Sequence, residues 1–305
     1  MKVSHVWALI RTSVSSWYED DAPSMGAALA YYTLFSIAPL LVIVIAVAGL
    51  VFSNDAVQTS ILEELRGLMG EAGAIAVQDL LIRAIDPSKN VLAALIGGIT
   101  SILGATTVFA ELNSALNRIW RVPTAPNIGG VRSFLYTRIL SFGLILGMGF
   151  LLLVSLVLSA ALAALGAWWS PFFGGWSASL QVINFIASFA IITLVFAMIY
   201  KLLPRARISW HDVWIGAAVT ALLFTLGKLI IGQYLGKIGT SSAFGAAGSL
   251  MALLVWVYYS AQIFFLGAEF TWVYAYSHGS RAGEPKAKPS KPDKATPSAN
   301  RPTDP

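Results

Sequence analysis

The chain has 305 residues, 57% hydrophobic and only 11% charged, with a formal net charge of +5 and a mean hydropathy of +0.72. A soluble domain carries roughly a quarter charged residues, so this composition excludes an ordinary globular protein and specifies an all-α, polytopic membrane helix bundle. Cysteine is absent, which excludes disulfides, thiolate metal sites and a cysteine nucleophile.

Residues 1–25 are expected to form a cytoplasmic N-terminal segment. The stretch MKVSHVWALIRTSVSSWYEDD has no long apolar core and no small-residue cleavage site, so it does not read as a cleaved signal peptide. The first span is expected to serve as an uncleaved one. A bilayer core takes about 20 apolar residues per helix. Six blocks within a membrane domain 26–276 meet that need, at about 26–52, 91–111, 138–166, 180–203, 212–235 and 246–275.

Charge sets the orientation, because Lys and Arg accumulate in cytoplasmic loops. With the N-terminus inside, fifteen Lys and Arg fall on the inner side and four on the outer. Both termini are therefore expected to be cytoplasmic, in a bacterial inner membrane. The excess charge follows topology and carries no signal for nucleic acid.

The first span begins GAALAYYTLFSIAPLL and puts Tyr31, Tyr32, Ser36 and Pro39 into an apolar run. Pro39 has no N–H, frees the carbonyl near Phe35 and predicts a kink. Ser36 can bond a freed carbonyl. Tyr32 and Ser36 share a face, and Gly26, Ala30 and Thr33 form a small-residue face that lets a helix approach. Matching small residues stand in GGITSILGATT, residues 97–107, and in GQYLG, residues 232–236. The last span offers Tyr258, Gln262 and Glu269 along one side. These residues are expected to line a cavity; helix-to-helix hydroxyl bonding is the alternative, and it explains two adjacent tyrosines less well.

The first outer loop, 53–90, is acidic, with apolar residues at helical spacing around 61–68 and 75–85. It predicts two short amphipathic helices at the outer surface. They form either a cap on the bundle or, functionally, a gate or a docking surface for an envelope protein partner. The second outer loop carries WWSPFFGGW, residues 168–176, suited to a membrane interface. The tail, 277–305, is rich in Lys and Pro with almost no large apolar residue, and is expected to be disordered, cytoplasmic and in weak contact with membrane lipids.

An ionisable residue at membrane depth is costly and marks a functional candidate. Lys228 lies about 24 Å into the fifth span and Glu269 about 31 Å into the sixth, at 1.5 Å per residue. Those spans run in opposite directions, so the two do not pair. Lys228 can snorkel to the outer interface or bind an anion. Glu111, Arg138, Glu269, Asn113, Asn117 and Arg118 are expected to gather at the cytoplasmic mouth. They form either a salt-bridge network or a gate with a headgroup or ion site. His5, His211 and His278 have no metal-ligand spacing, and no P-loop, GxSxG or HExxH occurs. No cofactor, metal or catalytic residue is expected.

The segments MGAALAYYTLFSIAPLL, LNSALNRIW, KLLPRARISWHDVWIGAAVTALLF and SSAFGAAGSLMALLVWVYYSAQIFFLGAEFTWVYA together resemble the YihY/BrkB family of bacterial inner-membrane proteins, over roughly 20–276. The resemblance implies a link to serum resistance and virulence, and by one relative to export of a lipopolysaccharide precursor. The family was also long labelled ribonuclease BN; three isolated histidines cannot supply the His/Asp cluster of a zinc-dependent ribonuclease. The resemblance carries no site residues, so the candidates above stand on the sequence. The expected function is a transporter or flippase of a lipid-linked or small amphiphilic solute. The alternative is a non-transporting scaffold for envelope machinery.

Overall fold

The computed structural model describes residues 3–49, 53–85, 107–122, 143, 147, 176–239 and 246–285. The elements are α1 (Val3–Glu19), α2 (Ala22–Ala48), α3 (Asn54–Ile85), α4 (helical over 107–119), α5 (Trp176–Leu202), α6 (Trp210–Gly239) and α7 (Ala246–Ser277). No strand occurs among the described residues. Arg138 and all of the expected third span except 143 and 147, most of the expected second span, all of WWSPFFGGW except Trp176, and the tail beyond 285 lie outside them.

Length and apolarity make the spans. Phe185–Leu202, Trp210–Tyr234 and Leu250–Ser277 are each long and apolar enough to cross a membrane. The 27 residues of α2 extend about 40 Å at 1.5 Å per residue. Its helix continues through Pro39 to Ala48. Ser36 donates back to the Tyr32 carbonyl, one turn before the carbonyl that Pro39 leaves free. Large apolar side chains on α5 and α6, such as Phe185, Ile186, Leu226 and Ile230, point outward, as lipid-facing residues do.

The centre of the bundle is α7, which packs on α1, α2, α3 and α6. It crosses α6 antiparallel through two reciprocal notches. A Cβ on Gly216 would meet the Thr271 hydroxyl at 1.8 Å, and one on Gly267 would meet the Thr220 hydroxyl at 1.9 Å. Each threonine turns its hydroxyl onto the glycine carbonyl of its own helix, at 2.7 Å for both. The buried Tyr200 of α5 completes the joint, donating to the Phe264 carbonyl at 2.7 Å and lying 3.1 Å from Thr220 Oγ1. Small residues with self-satisfied hydroxyls allow backbones to close without stranding polar groups in lipid. The close approach thus sits at Gly216, whereas Gly232, in the expected small-residue segment, has open space where a Cβ would go.

The 54–85 segment is one helical run broken at Gly70, where φ is 77° and ψ is 177°. Its buried Met69, Ala76, Val77 and Leu81 pack with Ala30, Leu41 and Ile45 of α2 and with Leu253 and Val257 of α7. It is part of the bundle's core and does more than cover its surface.

α1 is amphipathic in an unusual sense. Its inward face carries Leu9, Ser13 and Ser16, and the next residue in that series, Asp20, is also buried. Its outward face carries Val6, Trp7, Ile10, Val14 and Tyr18, with Trp7 and Tyr18 each 68% exposed. Trp210 and Trp214, at the start of α6, are also exposed. The start of α2 and the ends of α4 and α7 meet at this same end of the bundle.

Candidate functional site

Three ionisable side chains are buried together at the α1 end. Asp20 sits in the turn between α1 and α2, Glu269 on α7, and Arg121 just past α4. Asp20 is 1% and Glu269 0% exposed. Arg121 Nη2 lies 3.6 Å from Asp20 Oδ2, and its guanidinium stacks 4.0 Å from the centre of the buried Trp272 ring. A desolvated cation–π contact of this kind contributes about 2 kcal/mol.

Local backbone chemistry presents these groups. Arg121 ends α4 in a Schellman turn, with its N–H bonded to Arg118 O and the Val122 N–H bonded to Asn117 O. Glycine usually holds that left-handed position, yet Arg121 has φ 51°. Asp21, next to Asp20, has φ 59°. Left-handed backbone costs roughly 1–2 kcal/mol per L-residue. These are the two non-glycine residues with positive φ among those described, and both flank the same buried charges. Strain concentrated in this way is a mark of function.

Neither Glu269 oxygen has a hydrogen-bond donor among the described residues. The neighbour within hydrogen-bonding reach is another carboxyl, that of Asp20. Ionised carboxylates only accept, so contact between the two is bonding only when one carries a proton. Burial pushes the Asp20 carboxyl up from its ordinary value, and Glu269, Arg121 and Arg118 offset part of that rise.

A cavity of about 580 Å³ opens beside this cluster, lined by Trp7, Arg11, Thr12, Ser15, Ser16, Glu19, Arg121 and Trp272. The volume is in the range of small-molecule sites, roughly 300–1,000 Å³. Two cations face one carboxylate there, and that carboxylate, Glu19, accepts from Ser15 at 3.1 Å.

Two clamps hold the frame. Asn113 donates to the Leu203 carbonyl, Asn117 donates to Asn113 Oδ1 at 2.7 Å, and the Arg205 N–H donates to Asn117 Oδ1 at 2.8 Å. This asparagine pair ties α4 to the α5–α6 turn. Asp212, buried at the start of α6, accepts from the Ser280 N–H at 3.1 Å and the Ser280 hydroxyl at 2.6 Å, tying α6 to the end of α7.

Of the expected cluster, Glu269 stands at the centre, Arg118 acts on Asp20 through its charge, and Asn113 and Asn117 form the clamp. Glu111 makes no hydrogen bond or ion pair among the described residues, and Lys228 stands apart on α6, likewise unpaired among them. Arg138 lies outside the described residues. Of the expected cavity residues, Gln262 packs into the notch at Gly26 and Ser36 bonds within its own helix. Tyr31 is 58% exposed, with its ring 5.1 Å from that of Phe35; Tyr32 is half-buried and Tyr258 exposed. Asp20 and Arg121, the partners of Glu269, escape sequence reasoning. The signals that could find them are an acidic run directly before a span, and an arginine directly after the aromatic end of ELNSALNRIW.

The sequence profile of a family described as virulence factor BrkB matches residues 13–293. A UPF0761 membrane protein of Psychrobacter is 27% identical over 278 residues, covering 88% of this chain and 48% of that protein. One from Pseudomonas aeruginosa is 27% identical, covering 82% of this chain and 58% of the relative. One from Tolumonas auensis is 28% identical, covering 83% and 81%. The chain thus spans about half the length of the first two. No solved structure matches it significantly. By that match, the chain belongs to the virulence factor BrkB family of membrane proteins.

Proposed function

We propose that this chain is an inner-membrane transporter or flippase for an anionic, lipid-linked or small amphiphilic solute. The observation that carries the reading is the Asp20–Glu269–Arg121 cluster, whose Arg121 lines the cavity beside α1. Buried ionisable groups in a membrane bundle are expensive and persist where they serve a pathway. A purely structural role needs no cavity lined by two arginines, three hydroxyls and two indoles. In this reading α1 lies in the inner membrane interface, with its Trp7–Tyr18 face in lipid, so an amphiphile reaches the cavity from the bilayer.

The test is a flipping assay. Purified protein in phosphatidylcholine vesicles receives nitrobenzoxadiazole-labelled phosphatidylglycerol, and dithionite bleaching reports its transfer. Wild-type vesicles are expected to transfer label well above protein-free ones. Arg121→Ala and Glu269→Gln, folded by circular dichroism, are expected to lose about tenfold of that rate, the equivalent of about 1.4 kcal/mol. Equal rates in all three would remove the site from the pathway.

A second reading, a scaffold for an envelope partner, is favoured by Ile75 and Ile82. Seven residues apart on α3, they are 41% and 55% exposed. Ile75→Ser with Ile82→Ser would then abolish function in cells while leaving vesicle transfer intact.

A further inference from the structure

At the α1 end two carboxyls share one adjacent arginine. Asp20 and Glu269 face each other, Glu19 stands nearby on α1, and the positive groups are Arg121 beside Asp20, Arg118 one turn earlier on α4 and Arg11 across the cavity with Glu19. Two carboxylates in contact cannot both stay ionised in a buried site. A pair holding one proton carries a single negative charge, and Arg121 balances it. That leaves the Arg121 guanidinium with two claimants, because the same residue lines the cavity with Arg11, Thr12 and Ser16.

We propose that the cavity binds the anionic group of an amphiphile at Arg121 and Arg11, and that binding is coupled to uptake of one proton by the Asp20–Glu269 pair. An anion on Arg121 competes for the charge that balanced the pair. The pair's remaining negative charge then faces a second one across the guanidinium. One added proton, taken from solvent, makes both carboxyls neutral and restores balance; release of the anion releases it. Trp272 holds the guanidinium plane, 4.0 Å from its ring centre, so the arginine serves both partners without leaving its place. Burial already drives Asp20 toward its protonated form, the direction that uptake requires. The inference rests on the transport reading for its purpose, but its test needs no transport.

The probe is dihexanoylphosphatidylglycerol, a phosphodiester whose single charge does not titrate near neutrality. It is titrated calorimetrically into the full chain in phosphatidylcholine nanodiscs, at fixed salt, in buffers of differing ionisation heat. Wild type is expected to take up about one proton per lipid bound, so affinity rises up to about tenfold per unit fall in pH. Arg121→Ala is expected to weaken binding at least tenfold. The double variant Asp20→Asn with Glu269→Gln is expected to bind with proton uptake near zero and little pH dependence. Arg121-independent binding, or Arg121-dependent binding with no proton taken up, overturns the proposal. Binding with proton uptake but no lipid transfer in vesicles keeps it and sinks the transport reading. Transfer without proton uptake does the reverse.

Discussion

Asp20 shows how one residue can be plain in the sequence and silent in meaning. It stands in the run Glu19, Asp20, Asp21, which reads as a solvated stretch before a span. Folding separates the three: Asp20 is buried against Arg121 while Asp21 takes left-handed backbone beside it. Arg121 hides for a similar reason, since an arginine in an inner loop also satisfies the positive-inside rule. Glu269 stands out because a carboxylate in an apolar helix is costly at membrane depth. The raised pKa of Asp20 has a consequence for stability. Its folded form binds protons more tightly than its unfolded form, so its contribution favours the folded state at low pH and is lost as pH rises through the folded value. Asp20→Asn removes that dependence. Wild type is therefore expected to gain thermal stability relative to Asp20→Asn as pH falls from mildly alkaline to mildly acidic, read by melting in detergent across a pH series. A difference that stays flat, or has the opposite slope, would contradict the burial account.

At the scale of elements, length and apolarity made α5, α6 and α7 legible, because a helix that crosses lipid has few alternatives. Their contacts were harder to foresee. Any glycine or threonine in a span can join a small-residue face, and only the packing distinguishes Gly216 and Gly267 from Gly232. Gly216→Ala or Gly267→Ala forces α6 and α7 apart or displaces a threonine, and is expected to destabilise by about 1–3 kcal/mol. Gly232→Ala is expected to be neutral or slightly stabilising. Melting of the three variants checks the contrast. α1 is not legible as a packed element because its one apolar run, Val6–Ile10, is too short to span a bilayer and its buried face carries serines beside Leu9. If that outer face lies in lipid, Trp7 fluorescence, taken as the difference between wild type and Trp7→Phe, is quenched by brominated acyl chains. Quenching by aqueous iodide instead would place the helix in water.

The whole molecule reads as a bundle whose polar chemistry is gathered at one end. The asparagine clamp, the Asp212 clamp and the carboxyl–arginine cluster all lie where α1, α4, the α5–α6 turn and the end of α7 converge. By the positive-inside count that end is expected in the cytoplasm. Because the chain has no cysteine, each introduced thiol is a clean reporter. In intact cells an impermeant maleimide is expected to label Gln58→Cys on α3 and to spare Ser4→Cys and Ser298→Cys until the cells are opened. The central claim, a proton held between Asp20 and Glu269 beneath Arg121, is tested most directly by infrared difference spectroscopy at neutral pH. Wild type minus Glu269→Gln should show a protonated-carboxyl C=O stretch, present again in wild type minus Asp20→Asn and strengthened when dihexanoylphosphatidylglycerol binds. If neither difference contains that band, both carboxyls are ionised at neutral pH and the account of the site is wrong.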